Sequence, residues 1–191
     1  QVDRLSTYFS PRNIAVIGAS TKNQWFANIV GNAYRVGFTG TFYPVNPGAT
    51  EVQGIPAFAS INDLPAGVDF AAVIVRSSMV LDTVRALAAR GIMNVLLVSS
   101  GFSELGGEGA RLQNELAAFC RERGVILVGP NCLGFVNPLD RTSVFAGGAI
   151  ELDPFPGTIG IIGQSGATSE VLATKRGGGM TSERSAPSRV L

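Results

Sequence analysis

Apolar residues in this chain occur as short unbroken runs, separated by stretches where they recur every three or four positions. Asn13 to Gly18 is apolar almost throughout, the pattern of a strand covered on both faces. Phe26, Ile29, Val30 and Ala33 follow at helical spacing, and Gly37 is placed to stop that helix. Thr41 to Val45 predicts a second strand. Gly48 to Pro56 is turn-rich, and Ala57 to Leu64 has room for a short strand or half-turn. Phe70 to Val75 predicts a third strand, followed by a helix that Ser77 or Ser78 would cap, that buries Val80, Val84, Leu87 and Ala88, and that Gly91 ends. Val95 to Ser99 is the fourth strand. A loop with four glycines, Ser100 to Gly109, leads to a helix over Ala110 to Arg123 that buries Leu112, Leu116, Phe119 and Cys120 and closes at Gly124; Val125 to Val128 is the fifth strand. Strands and helices alternating through short connections predict an α/β fold, a parallel sheet with right-handed crossovers and helices on both faces.

The pattern changes after Asn137. Pro138, Pro154, Pro156 and the Gly147-Gly148 pair mark residues 138–156 as a connector. Thr158 to Ile162 predicts a new strand, with Gly163-Gln164-Ser165-Gly166 opening onto a short helix. Past Lys175 the periodicity is lost in Gly177-Gly178-Gly179 and a Ser/Arg-rich stretch. The expected organisation is one domain over 1–137, a connector over 138–156, the incomplete start of a second α/β domain over 157–176, and a disordered tail over 177–191.

Composition narrows the chemistry. Of 191 residues, 46% are hydrophobic and 15% charged, enough for a sizeable core. A net charge of +1 argues against a broad nucleic-acid footprint. No apolar run reaches the roughly 20 residues that span a bilayer, and no secretory leader is evident, so a membrane partner is not expected. Two cysteines, Cys120 and Cys132, fit a reducing cytoplasm better than a disulfide framework. The chain has no histidine, which removes a Ser-His relay, a histidine base and a histidine metal ligand; no catalytic residue and no metal site is nominated.

The candidate site lies at strand carboxyl ends, where open α/β sheets receive ligands. Gly18, Ala19, Ser20, Thr21, Lys22 and Asn23 form a turn entering a helix. Free amides, two hydroxyls and the Lys22 charge there suit a phosphate, although the three-glycine dinucleotide fingerprint is absent. An ordinary capped turn is the plain alternative. The second strand ends Val45-Asn46-Pro47. Asn46 stands where an NAD-binding fold places an acidic residue for the ribose, and its neutrality removes a carboxylate that would repel a ribose phosphate; a structural Asn-Pro turn is the plain alternative. The combination suits a nucleotide with extra negative charge, such as coenzyme A. Val45, Val75 and Ser99-Ser100-Gly101 would be its walls. Glu104 is a loop carboxylate, and Cys132 reads on its own as a buried thiol.

IAVIGAS, YPVNP, VSSGFSELGGEG, GPNCLGFVNP and GIIGQSGATSEV, in this order from about Leu5 to about Lys175, resemble the NDP-forming acyl-CoA synthetases, relatives of the succinyl-CoA synthetase α subunit. The resemblance implies a Rossmann-like CoA-binding domain followed by the start of a flavodoxin-like second domain. It places Ser20, Thr21, Lys22 and Asn23 along the CoA phosphates and Val45, Asn46 and Pro47 near adenosine. Ser99, Ser100 and Gly101 would lie on the pantetheine side, Asn131 and Cys132 near the thiol. Gln164-Ser165-Gly166 is similar to the helix start that faces a phosphohistidine. The implied ligand is CoA or an acyl-CoA. The implied reaction joins an acid to CoA through an acyl phosphate and a phosphohistidine, with NDP and phosphate on the other side. An ATP-grasp domain or subunit would be the partner, so this chain is not expected to turn over alone. The sequence departs from the family at three places: Gly48-Ala49 replaces a basic residue; Arg76 replaces a proline, which either offers CoA a new positive charge or only perturbs the wall; and the tail over 177–191 matches no part of the family pattern. The alternatives are a free-standing CoA-sensing module and an NAD(P)-binding redox protein.

Overall fold

The computed structural model describes residues 2–150, 159–165 and 188–190. In chain order the elements are α1 (Val2–Phe9), β1 (Asn13–Ile17), α2 (Gln24–Arg35), β2 (Thr41–Val45), β3 (Glu51–Val52), β4 (Ile55–Pro56), β5 (Phe70–Val73), α3 (Ser77–Ala89), β6 (Asn94–Leu97), α4 (Gly107–Arg123), β7 (Ile126–Val128), β8 (Gly134–Asn137), β9 (Thr142–Phe145), β10 (Ile159–Ile161) and β11 (Ser188–Val190).

Five strands form a parallel sheet in the order β2-β1-β5-β6-β7. Alternate residues on each strand feed different cores. Ile14, Val16, Phe70, Ala72 and Leu96 pack with Phe26, Ile29 and Ala33 of α2, with Tyr8 of α1 and with Phe135 and Val144. Ala15, Ile17, Ala71, Val73, Val95 and Leu97 pack with Val80, Val84 and Leu87 of α3 and Leu116 and Cys120 of α4. Both faces are therefore covered by helices. This is why the strands read as unbroken apolar runs, and it is the Rossmann-like arrangement expected.

Several details differ from the sequence reading. Helix α1 is additional: it buries Tyr8, whose hydroxyl donates to the Val95 carbonyl at 3.1 Å and whose ring meets Phe70 edge-on at 4.9 Å. Neither Ser77 nor Ser78 caps α3; Arg76 holds the N-cap position and no side chain bonds the helix start. Helix α4 starts at Gly107, three residues earlier than predicted. Gly109 is buried in its first turn because a Cβ there would stand 2.0 Å from the Phe102 carbonyl oxygen, so this glycine permits close packing rather than breaking the helix.

A second sheet runs β10-β11-β8-β9. Strand β9 lies inside the segment read as a connector, in an antiparallel hairpin with β8. Strand β11 lies in the segment read as a disordered tail; it pairs parallel with β10 and antiparallel with β8. Strand edges leave backbone groups that need partners, and the backbone of Ser188–Val190 supplies them between β10 and β8. Asn32, fully buried in α2, fixes the chain after the hairpin: its amide donates to the carbonyls of Phe145 (3.1 Å) and Gly148 (3.0 Å), and its oxygen accepts from the Ile150 N–H (3.0 Å).

Candidate functional site

The turn after β1 is fixed from two sides. Gly18 has φ +84°, and a Cβ there would come within 3.0 Å of the Ile74 carbonyl and the Val75 side chain, so the position favours glycine. Its N–H donates to the Val45 carbonyl at 3.0 Å, joining the ends of β1 and β2. Lys22 N–H donates to the Ser20 hydroxyl at 3.0 Å, which closes the turn. Asn23 is the N-cap of α2 but makes no capping hydrogen bond, and its side-chain oxygen is buried without a partner. A buried polar atom of this kind implies a missing partner, and rotation of the amide offers either an N–H or a carbonyl there. The first turn of α2 has no acidic residue to offset its positive end. These features fit a ligand bearing phosphate and polar groups.

Asn46 is committed to the protein itself. Its amide donates to the Ala19 carbonyl at 2.7 Å and its oxygen accepts from the Gly48 N–H at 2.8 Å. It holds the first turn against the second. Val45 is buried, and Pro47 is exposed beside it.

The ends of β5, β6 and β7 are tied together in the same way. The Ser99 hydroxyl donates to the Val75 carbonyl, and Asn131 N–H donates to the Ser99 carbonyl at 3.0 Å. Cys132 N–H reaches the Leu97 carbonyl at 3.3 Å, and its half-buried side chain packs against the core on the α2 face. Asn131 adopts φ +55°, a left-handed conformation that Asn tolerates better than most residues, directly after the cis Gly129-Pro130 bond. Gly101, with φ +99°, sits against Ser77; a Cβ there would stand 2.9 Å from the Ser77 hydroxyl oxygen. Glu104 accepts from the Gly101 N–H at 2.5 Å. That amide, with the amides of Glu104 and Phe102, holds the Glu104 carboxyl below its ordinary range. Ser100 is exposed.

Five strand ends therefore stand in a row, spanning roughly 19 Å at about 4.8 Å per strand. Gly18–Asn23 and Val45–Pro47 meet at one end, Val75, Ser99 and Gly101 in the middle, Asn131 and Cys132 at the other. Lys22 and exposed Arg76 flank the adjacent β1 and β5 ends, and neither forms an ion pair among the described residues. Gln164 and Ser165 follow β10 in the second sheet and are exposed; Gly166 and the helix expected after it lie outside the described residues. The sequence reading missed the exposed apolar residues of this rim: Trp25 on the first turn of α2, Met79 on that of α3, and Leu105, three-quarters exposed, in the glycine-rich loop. Leu105 and Phe102 are the two large apolar residues of the loop over 100–109, and of these Phe102 is buried while Leu105 faces out. Among the described residues no three His, Cys, Asp or Glu side chains could hold a metal ion, and no helix is long and apolar enough to cross a membrane.

Comparison with known proteins identifies the family and the fold. Residues 12–138 match the CoA binding domain family. A trans-feruloyl-CoA synthase from an unknown prokaryotic organism is 42% identical over 177 residues, 91% of this chain and 25% of that protein. An ADP-forming acetate–CoA ligase of Archaeoglobus fulgidus is 37% identical over 160 residues, 83% of this chain and 23% of the relative. An acetyl-coenzyme A synthetase of Ca. Korarchaeum cryptofilum, solved with phosphate and ADP, superposes with a TM-score of 0.77 at 32% identity, covering 88% of this chain and 35% of that one. The chain spans about a quarter of the length of these curated relatives. With the family match covering β1 through β8, the chain belongs to the CoA-binding domain family found in the NDP-forming acid–CoA ligases.

Proposed function

We propose that the carboxyl edge of the parallel sheet binds coenzyme A or an acyl-CoA, as the CoA-binding portion of an NDP-forming acid–CoA ligase. The observation that carries this reading is the turn Gly18–Asn23: a glycine turn at a helix start with no acidic residue in its first turn, beside Lys22 and Arg76, which form no ion pair among the described residues. The phosphates would lie on the amides of this turn and the adenosine against Val45, Asn46 and Pro47. The pantetheine arm would cross the ends of β5 and β6 past Val75, Ser99, Ser100 and Gly101, bringing the thiol toward Asn131 and Cys132. Arg76 would supply charge that the Gly48-Ala49 turn does not. In the complete reaction an ATP-grasp domain or subunit and a phosphohistidine would supply the acyl phosphate, with Gln164, Ser165 and Gly166 facing that group.

Helix-end electrostatics contributes about 0.3–2 kcal/mol, whereas micromolar binding requires about 8 kcal/mol. Most of the affinity must therefore come from charge-assisted hydrogen bonds and from burial of the adenine and the pantetheine arm. Calorimetric titration of this chain with CoA is the direct test. Saturable binding that dephospho-CoA matches poorly supports the reading; no heat at millimolar CoA overturns it.

A further inference from the structure

At the opposite edge of the sheet, residues near the ends of α3 and α4 share a cavity. Ala88 and Ala89, Met93 just before β6, and Phe119 line a cavity of about 450 Å³, and Arg85 and Arg123 complete its wall. The cavity exists because α3 presents two adjacent alanines where larger side chains would fill the angle between helices. Arg85 is held in place: its guanidinium lies 5.8 Å from the centroid of the Phe119 ring, and it bonds Asp82 at 3.0 Å. That Asp82 pair is exposed, so a competing carboxylate displaces it at little cost. Arg123 has no ion pair among the described residues. A basic residue in the last turn of α4 complements the helix end, but Arg85 lies in the interior of α3, where no such account applies.

We propose that this groove is a second small-molecule site, one that takes an amphipathic carboxylate. The apolar body of an aryl or alkyl acid rests on Ala88, Ala89, Met93 and Phe119, and its carboxylate is held between Arg85 and Arg123. Guanidinium groups suit this task because their planar donors pair with both carboxylate oxygens, and a cavity of this size lies within the range of small-ligand sites. The site is independent of the CoA reading, since it uses the other edge of the sheet.

The test is a titration of the whole chain with 4-phenylbutyrate, followed by amide chemical shifts in the presence of saturating CoA. Saturable shifts are expected around residues 85–93 and 119–123. The Arg85→Ala/Arg123→Ala pair should weaken binding at least about tenfold, as should replacing the probe by 4-phenylbutanamide. Ala88→Leu, which fills the groove and keeps both charges, should abolish it while the thermal melt stays cooperative. The proposal fails if no saturation is seen up to about 10 mM, if the shifts cluster at residues 18–23 and 99–105, if the amide binds as well as the acid, or if the arginine variants bind as the parent does.

Discussion

Asn46 gives the sharpest test of the nucleotide site. Asn46→Ala removes the 2.7 Å bond to Ala19 and the 2.8 Å bond from Gly48. At about 1 kcal/mol net for each, and less at this half-exposed position, stability should fall by about 1–2 kcal/mol. For a chain of this size the melting temperature then drops by about 3–6 °C. Asn46→Asp asks a different question. It keeps an acceptor for Gly48 N–H, loses the donor to Ala19, and sets a carboxylate where the proposed ligand carries its phosphate-bearing ribose. Two like charges about 4 Å apart repel by about 1 kcal/mol in water and about 4 kcal/mol at the effective dielectric of a protein surface. CoA affinity should therefore fall roughly tenfold further in the aspartate than in the alanine variant, and the gap should narrow as salt is added. Calorimetry at two ionic strengths measures both numbers, and NADH fluorescence on the same variants measures the alternative. Equal CoA affinity for the aspartate and parent proteins, or NADH binding gained by the aspartate, would refute the placement of a phosphorylated ribose at the end of β2.

Lys22→Ala and Arg76→Ala should each weaken CoA binding and flatten its salt dependence; unchanged titrations would move the phosphates elsewhere. Gly134→Ala should unfold or strongly destabilise the chain, because φ is +111° and a Cβ would lie 1.8 Å from the Val144 carbonyl oxygen; a melting temperature within 2–3 °C of the parent, under about 1 kcal/mol, would contradict the hairpin packing. Glu104 ionises below its ordinary range because backbone amides stabilise its charged form. Its contact with Gly101 is thus present above the unfolded value near 4.3 and is lost as pH falls through the lower folded value. The Gly101 amide shift should titrate below pH 4.3 and become pH-independent there in Glu104→Gln; a midpoint above that value would exclude the contact.

The parallel sheet was legible because its strands are covered on both faces, so Ile14–Ile17, Phe70–Val73 and Val95–Leu97 carry no polar interruption. The hairpin was not. Thr142 and Ser143 are fully buried in β9, and Asn137 nearly so in β8, so polar residues occupy core positions. Their hydrogen bonds are what make this possible, the Ser143 hydroxyl reaching the Phe135 carbonyl and the Asn137 amide the Phe9 carbonyl. Asn32 is hidden for the same reason: in a helix it reads as solvent-facing, yet its four bonds to residues 145–150 use its amide fully. Helix α1 is too short for periodicity to emerge, and Tyr8 alone among its described residues is fully buried. Tertiary partners decide these positions, and a single sequence shows residue types without partners. At the candidate site the strand ends and glycines were legible, whereas the role of each polar side chain depended on distances.

Those distances change which groups remain to meet a ligand. Asn46 and Ser99 are both expected as contacts, yet each already bonds the backbone of a neighbouring turn, and the loop carboxylate Glu104 bonds the Gly101 amide. Removing them from the ligand's account leaves the amides of the Gly18–Asn23 turn, the hydroxyl of Thr21, the charges of Lys22 and Arg76, and the unpartnered Asn23 amide at one end of the edge. Farther along the edge the surface is mixed: half-buried Val75 and Cys132 and the exposed Met79 and Leu105 stand beside the exposed Ser100 and Asn131. A ligand matched to this edge is therefore anionic over β1 and β5 and of mixed polarity toward β6 and β7. A phosphorylated adenosine with a long pantetheine arm would put charge beside Lys22 and Arg76 and its amide-bearing chain beside this mixed surface, which is the arrangement the proposed CoA site requires.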